Sequence, residues 1–179
     1  MGLMRNIVIV DYQPQWPEMF AEESAHLREA LGATLVAVHH VGSTSVPGLA
    51  AKPIIDILAV VRALAEIDGR NRAMRDLGYE PKGELGIPGR RFFSRGPDDQ
   101  RTHHLHAYEL QHAEVAAHLD FSDYLRAHLE PARRYAQVKA ELAQRHRHDI
   151  EAYIEGKEPL IHEILDSARQ WRGSPGDGA

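Results

Sequence analysis

The stretch VGSTSVPGLAAKPIIDI, residues 41–57, decides how the chain is read. It places a run of small residues between two apolar segments, then sets one carboxylate, Asp56, among Ile54, Ile55, Ile57 and Leu58. An ionised Asp in such company pairs with a cation, shifts its pKa, or points out of the apolar layer into a site. The flanking segments TLVAVHHV (34–41) and PIIDILAVV (53–61) are β-branched and apolar, as buried strands are. The residues between them are expected as a turn with a short helical turn inside it. Gly42 at the strand end lets a ligand approach the backbone closely, and Ser43 adds a hydroxyl beside exposed N–H groups, the makings of a phosphate cradle. If the second strand returns beside the first, Asp56 arrives at the same spot and can hold a divalent cation that bridges the phosphates. The plainer alternative is a Gly-Ser pair that serves only as a turn.

Outward from this unit the pattern is α+β. IVIVDYQPQW reads as a short strand and a Pro-bounded turn leading to a helix at 17–31, where Phe20, Ser24, Leu27 and Leu31 recur at helical spacing. A helix at 63–77 is closed by Gly78, and strands follow near 79–82, 90–95 (RRFFSR) and 102–110 (THHLHAYEL). Beyond residue 111 the spacing is helical in AEVAAHLDFSDYLRAH, PARRYAQVKAELAQRH and IEAYIEGKEPLIHEILDSARQW, with Gly156 read as a break. This predicts one domain over 1–170, a small mixed sheet packed with helices over about 1–110 and a helical part over about 111–170. Residues 171–179, rich in Gly, Ser and Pro at the end, are expected to be disordered.

Composition narrows the function. The 179 residues carry a formal charge of -5, so no global field collects nucleic acid nonspecifically, and any anion site must be local. With no Cys there is no disulfide, thiolate catalysis or Cys-ligated zinc, and no apolar run is long enough for a membrane span. A cytoplasmic protein is expected.

The segments VDYQPQWPEMFAEE, HHVGSTSVPGLAAKPIIDI, GELGIPGRRFF, HHLHAYE and FSDYLRAHLEPARRYAQVKAELA together resemble the GrpB family over roughly residues 8–165. The resemblance implies a nucleotidyltransferase-like fold. In that wider superfamily a Gly-Ser motif binds the nucleotide triphosphate, and two carboxylates two residues apart on the next strand bind magnesium. Gly42, Ser43 and Asp56 match; Leu58 stands where the second carboxylate belongs, and residues i and i+2 of a strand face the same side. The resemblance thus implies Mg2+ or Mn2+ as cofactor and a nucleotide or other phosphorylated small molecule as partner. GrpB-like domains also occur joined to dephospho-CoA kinase, which implies a link to coenzyme A metabolism.

Other candidates complete this picture. His104 and His106 share a face if their segment is a strand, and are expected as metal or phosphate ligands; the alternative is a solvated strand face. Glu109 falls on the opposite face. Thr44, Lys52 and one of Arg90 and Arg91, which follow the loop GIPG, are expected near phosphate. His40 reads as a core His or as a support behind the turn. Tyr135 and Lys139 share a helix face, and Lys157 follows Gly156, where a helical appendage could complete a pocket. Three functions follow: a metal-dependent nucleotidyltransferase centred on Asp56, a binding module without turnover, or a metal hydrolase on Asp56, His104 and His106. No kinase P-loop of the form GxxxxGK[ST] is present in the sequence.

Overall fold

The computed structural model describes residues 6–173. Its strands are β1 (Leu35–Val41), β2 (Ile55–Val61), β3 (Tyr79–Pro81), β4 (Arg90–Arg95) and β5 (His103–Glu109), and they lie in the order β1-β2-β5-β4-β3. β2 and β5 run parallel and the other pairs antiparallel, so the sheet is mixed. The helices are α1 (Trp16–Leu31), α2 (Leu64–Asp68), α3 (Asn71–Asp76), α4 (Ala113–Ala127), α5 (Leu129–Arg145) and α6 (Ile150–Gly173). The α+β architecture is that expected from the sequence.

Strand alternation divides the core. Ile55, Ile57 and Ala59 of β2 and Leu105 and Ala107 of β5 face α1 and α3, where Leu27, Leu31 and Met74 are fully buried against them. Each such aliphatic side chain contributes about 1.5–3 kcal/mol by leaving water. On the other face Leu58, Val60 and Tyr108 meet Val115 and Leu119 of α4. Val46 and Leu49, from the loop after Gly42, sit among Leu125, Tyr135, Leu160 and Ile164, which ties the turn to the helical half.

Four expectations are corrected in detail. The helix expected over 63–77 is two short helices, α2 and α3, parted at Gly69 and Arg70. The opening strand is reduced to a single bridge between Val10 and Ala51. Gly156 does not break α6; a Cβ there would stand 2.5 Å from Leu142 Cδ2, so the missing side chain lets α6 close on α5 instead. Residues 171 to 173, assigned to the tail, are helical, because Arg172 pairs with Asp120 and Asp123 of α4. Residues 174 to 179 lie outside the described residues. Among the described residues no helix is long and apolar enough to cross a membrane.

Candidate functional site

Gly42 ends β1 with φ +71°, a conformation that favours glycine, and a Cβ there would meet Asp56 Oδ2 at 2.8 Å. Both backbone and space therefore require Gly at the point where the turn meets the acidic strand. The turn is clamped from the helical half. The Gly42 N–H donates to Ser122 Oγ (3.0 Å), whose hydroxyl donates to the His118 carbonyl (3.1 Å). Arg126 of α4 donates from Nε to the Ser45 carbonyl (3.0 Å) and from Nη2 to the His40 carbonyl (3.1 Å). Lys139 of α5, only 2% exposed, donates from Nζ to Ser43 Oγ (2.9 Å) and the Ala50 carbonyl (2.6 Å).

Thr44 is buried and its Oγ1 lies 2.9 Å from His40 Nε2, inside the turn and away from solvent. The His40 ring stacks on Phe20 with centroids 4.9 Å apart. Burial pushes its pKa down to about 4, so the ring is neutral. His40 thus supports the turn through a hydroxyl.

The register of β1, β2 and β5 lines up Val41, Asp56 and His104, with Leu58 and His106 in the next row. Asp56 Oδ1 stands 3.5 Å from His104 Nδ1 and 3.7 Å from His106 Nε2, and the carboxylate side chain is 32% exposed. Burial pushes its pKa up, but interactions with His104 and His106 overcome this and hold it well below the usual carboxylate range. Phe92 sets its ring edgewise to both imidazoles, 5.2 Å from each. His118 of α4 lies 5.0 Å from His106, with its pKa lowered to about 4 by burial and by the neighbouring imidazole.

One carboxylate and two imidazoles therefore converge, while Leu58, at the place of a second carboxylate, is fully buried. Among the described residues no group of three His, Asp or Glu side chains is already arranged as a metal site. Mg2+ requires near-octahedral oxygen ligation, so these side chains do not fit a pair of magnesium ions. A single Mg2+ or Mn2+ at Asp56 would have one protein carboxylate and would draw its remaining ligands from outside the protein.

A cleft of about 350 Å3 opens beside Asp56, between the sheet, α4 and α6. Gly42, Asp56, His106, His118 and Lys157 form its polar side, and Phe121, Ile161 and Leu165 its apolar side. Lys157 sits 4.5 Å above the Tyr153 ring and Lys52 5.2 Å from the same ring, so Tyr153 gathers two ammonium groups. Burial first, then repulsion from Lys157 and Lys52, lowers the pKa of Lys139 to about 7. Burial and Lys52 lower that of Lys157 to about 8.

Arg90 and Arg91 are not brought to the turn. Arg90 shares the face of Asp56, but its Nε and Nη2 bond the carbonyls of Glu84 (3.0 Å) and Leu85 (2.7 Å), fixing the loop before β4. Arg91, on the other face, makes a two-pronged pair with Asp68 at 2.6 and 2.8 Å. Glu109 accepts the Leu64 N–H at 3.0 Å and caps α2. His118, Ser122 and Arg126 were absent from the sequence reading. Their signal was the spacing of Val115, His118, Leu119 and Ser122, which puts two polar groups on the sheet-facing stripe of α4.

A mixed sheet capped by helices, with a glycine turn set against one strand carboxylate, defines an α+β protein with a cleft at the sheet's end. The chain belongs to the GrpB family: the family model described as "GrpB protein" matches residues 6–167. It is 44% identical over 168 residues to the UPF0157 protein YqkA of Bacillus subtilis (strain 168), covering 94% of this chain and 49% of that protein, so the chain spans about half the length of that relative. The crystal structure of the conserved protein GrpB from Enterococcus faecalis superposes with a TM-score of 0.89 at 39% identity, over 93% of this chain and 100% of that one. A dephospho-CoA kinase of Mycolicibacterium paratuberculosis is 28% identical over 193 residues, 94% of this chain and 47% of that protein.

Proposed function

We propose that the chain is a nucleotidyltransferase-like protein of the cytoplasm that binds a nucleoside triphosphate, or a similar phosphorylated small molecule, in the cleft at Gly42. The observation that carries this reading is the convergence on one cleft of Gly42, Asp56 and Lys157, with Lys139 bonded to Ser43 behind the turn and Lys52 beside the same Tyr153 ring as Lys157, in a chain whose formal charge is -5. The phosphates lie against the Gly42-Ser43 turn within reach of Lys157, and the lowered pKa values of Lys139 and Lys157 rise as the anion arrives. The apolar wall at Phe121 takes the uncharged part of the ligand. Asp56 would hold Mg2+ or Mn2+, which would supply charge neutralisation for the phosphates. Arg126 and Lys139 hold the turn, and His104 and His106 orient the carboxylate.

Buried Leu58 favours a second reading, a module that binds the nucleotide without turnover, because two-metal activation of attacking and leaving oxygens has one protein carboxylate too few. The likeness to a dephospho-CoA kinase supports at most an accessory role near that chemistry, since the chain has no GxxxxGK[ST] motif. Titration calorimetry of ATP, GTP, CTP and UTP with Mg2+ or Mn2+ tests the proposal. Metal-dependent binding that weakens at least tenfold in Asp56→Asn supports it, and no binding of any of the four removes it. Pyrophosphate release then separates the transferase from the module.

A further inference from the structure

A second cleft, of about 430 Å3, lies next to the first and is lined by residues that the phosphate reading leaves unexplained. Its walls come from the entry to β2 (Lys52, Ile54), the connection between β4 and β5 (Asp99, Arg101, Thr102) and the start of α6. His104 also lines it, whereas Asp56 and His106 line the first cleft. Since Asp56 Oδ1 is within 3.7 Å of both imidazoles, the carboxylate stands at the partition between the two spaces. Lys52 and Lys157 both lie against the Tyr153 ring, one lining each cleft.

Two buried polar atoms on this lining have no partner. Arg101 donates from Nη2 to Asp98 Oδ1 at 2.6 Å, yet its Nε–H is buried without an acceptor. His104 has its Nδ1 toward Asp56, and its Nε2 is buried without a partner. Buried polar groups in folded proteins are normally satisfied, so the two orphaned nitrogens leave unused hydrogen-bonding capacity on residues that line this cleft, which a shift of either side chain would open to a ligand. The lining charge sets the ligand's class. Lys52 and Arg101 supply the cleft's cationic groups, while Asp98, already paired with Arg101, and Asp99 balance them and repel a polyanion. A triphosphate is therefore disfavoured here, and one small anionic group is accommodated.

We propose that this cleft is a subsite for a second small molecule carrying a single phosphate or carboxylate group, held at Lys52 and Arg101 against the Asp56 partition. A protein that only sequesters one nucleotide has no use for it; one that brings two substrates to a shared carboxylate does. The inference rests on the reading of the first cleft as a nucleotide site.

The test uses 15N-labelled protein titrated with sn-glycerol 3-phosphate and, separately, with glycerate, which share a vicinal diol and differ in the anionic group. Saturable amide shifts confined to Lys52, Ile54 and residues 99 to 102 are expected from one or both probes, and which probe acts identifies the group. In Arg101→Gln and in Lys52→Met, checked for folding by their dispersed spectra, the affinity for the probe falls at least fivefold while nucleotide binding at Gly42 changes less than twofold in Arg101→Gln. No shift from either probe, shifts confined to Gly42 and Phe121, or undiminished binding in both variants would overturn the subsite. A wild type that binds a probe here but no nucleotide would instead remove the reading of the first cleft.

Discussion

The buried lysines make a pH-dependent prediction. Lys139 has its pKa lowered to about 7 and Lys157 to about 8, chiefly by burial and then by neighbouring ammonium groups, with Asp56 opposing the fall. At pH 8 about nine-tenths of Lys139 and about half of Lys157 are therefore neutral, some 1.4 protons short of full charge. A polyphosphate placed between them favours the charged forms and raises both pKa values, so binding takes up protons. The uptake approaches about 1.4 protons per site at pH 8 and falls to about 0.3 at pH 6.5, where both lysines already carry most of their charge. Calorimetric binding of ATP with Mn2+ in buffers of different ionisation enthalpy measures it directly, as the slope of observed enthalpy against buffer enthalpy. In Lys157→Met the slope at pH 8 drops by at least about half a proton, because losing the Lys157 charge also raises the Lys139 pKa, and the drop separates the lysine contribution from any from the ligand. Binding with a slope near zero at pH 8 would refute the placement of phosphate among these ammonium groups.

Three further predictions concern the turn and the arginines of β4. Gly42→Ala forces a side chain into φ +71° and to 2.8 Å from Asp56 Oδ2, and is expected to cost about 1–3 kcal/mol in chemical denaturation together with nucleotide binding; a loss of binding with stability unchanged would contradict the packing account. Arg91→Ala removes an exposed pair with Asp68 and is expected to change stability by less than about 1 kcal/mol, with nucleotide affinity unaffected. Arg90→Ala, which leaves two carbonyls of the preceding loop without donors, is expected to lower the unfolding midpoint more than Arg91→Ala does. Equal midpoints for the two variants would show that these bonds are not holding the loop.

Much of this was legible in residues 34 to 61. The β-branched runs around a small-residue turn specify two paired strands, and the alternation of Asp56 with Ile55 and Ile57 already separates the cleft face from the core face. His104 and His106 were legible for the same reason, as i and i+2 of β5. What was not legible depends on tertiary distance. Lys139 was named with Tyr135 as a pair that could complete a pocket, but its bond to Ser43, 96 residues away, has no local signal that sets it apart from a solvated lysine on a helix. Arg90 and Arg91 looked like phosphate clamps because a guanidinium beside a glycine loop suits either an anion or carbonyls, and only the fold supplies the carbonyls. Gly156 read as a break because helix propensity alone counts against it, whereas the close approach of α6 to Leu142 selects for it. Gly69 was overlooked in a segment whose apolar spacing looked continuous, and there the chain turns.

The most direct test of the central claim is a crystal structure with Mn2+ and a non-hydrolysable nucleoside triphosphate analogue. The account predicts phosphate oxygens against the Gly42-Ser43 turn and the Lys157 ammonium group, with Lys139 bonded to Ser43 behind them, one manganese peak on Asp56, and none at Leu58. Phosphates seated away from the Gly42 turn, or an analogue that leaves this cleft empty at full occupancy elsewhere, would contradict it.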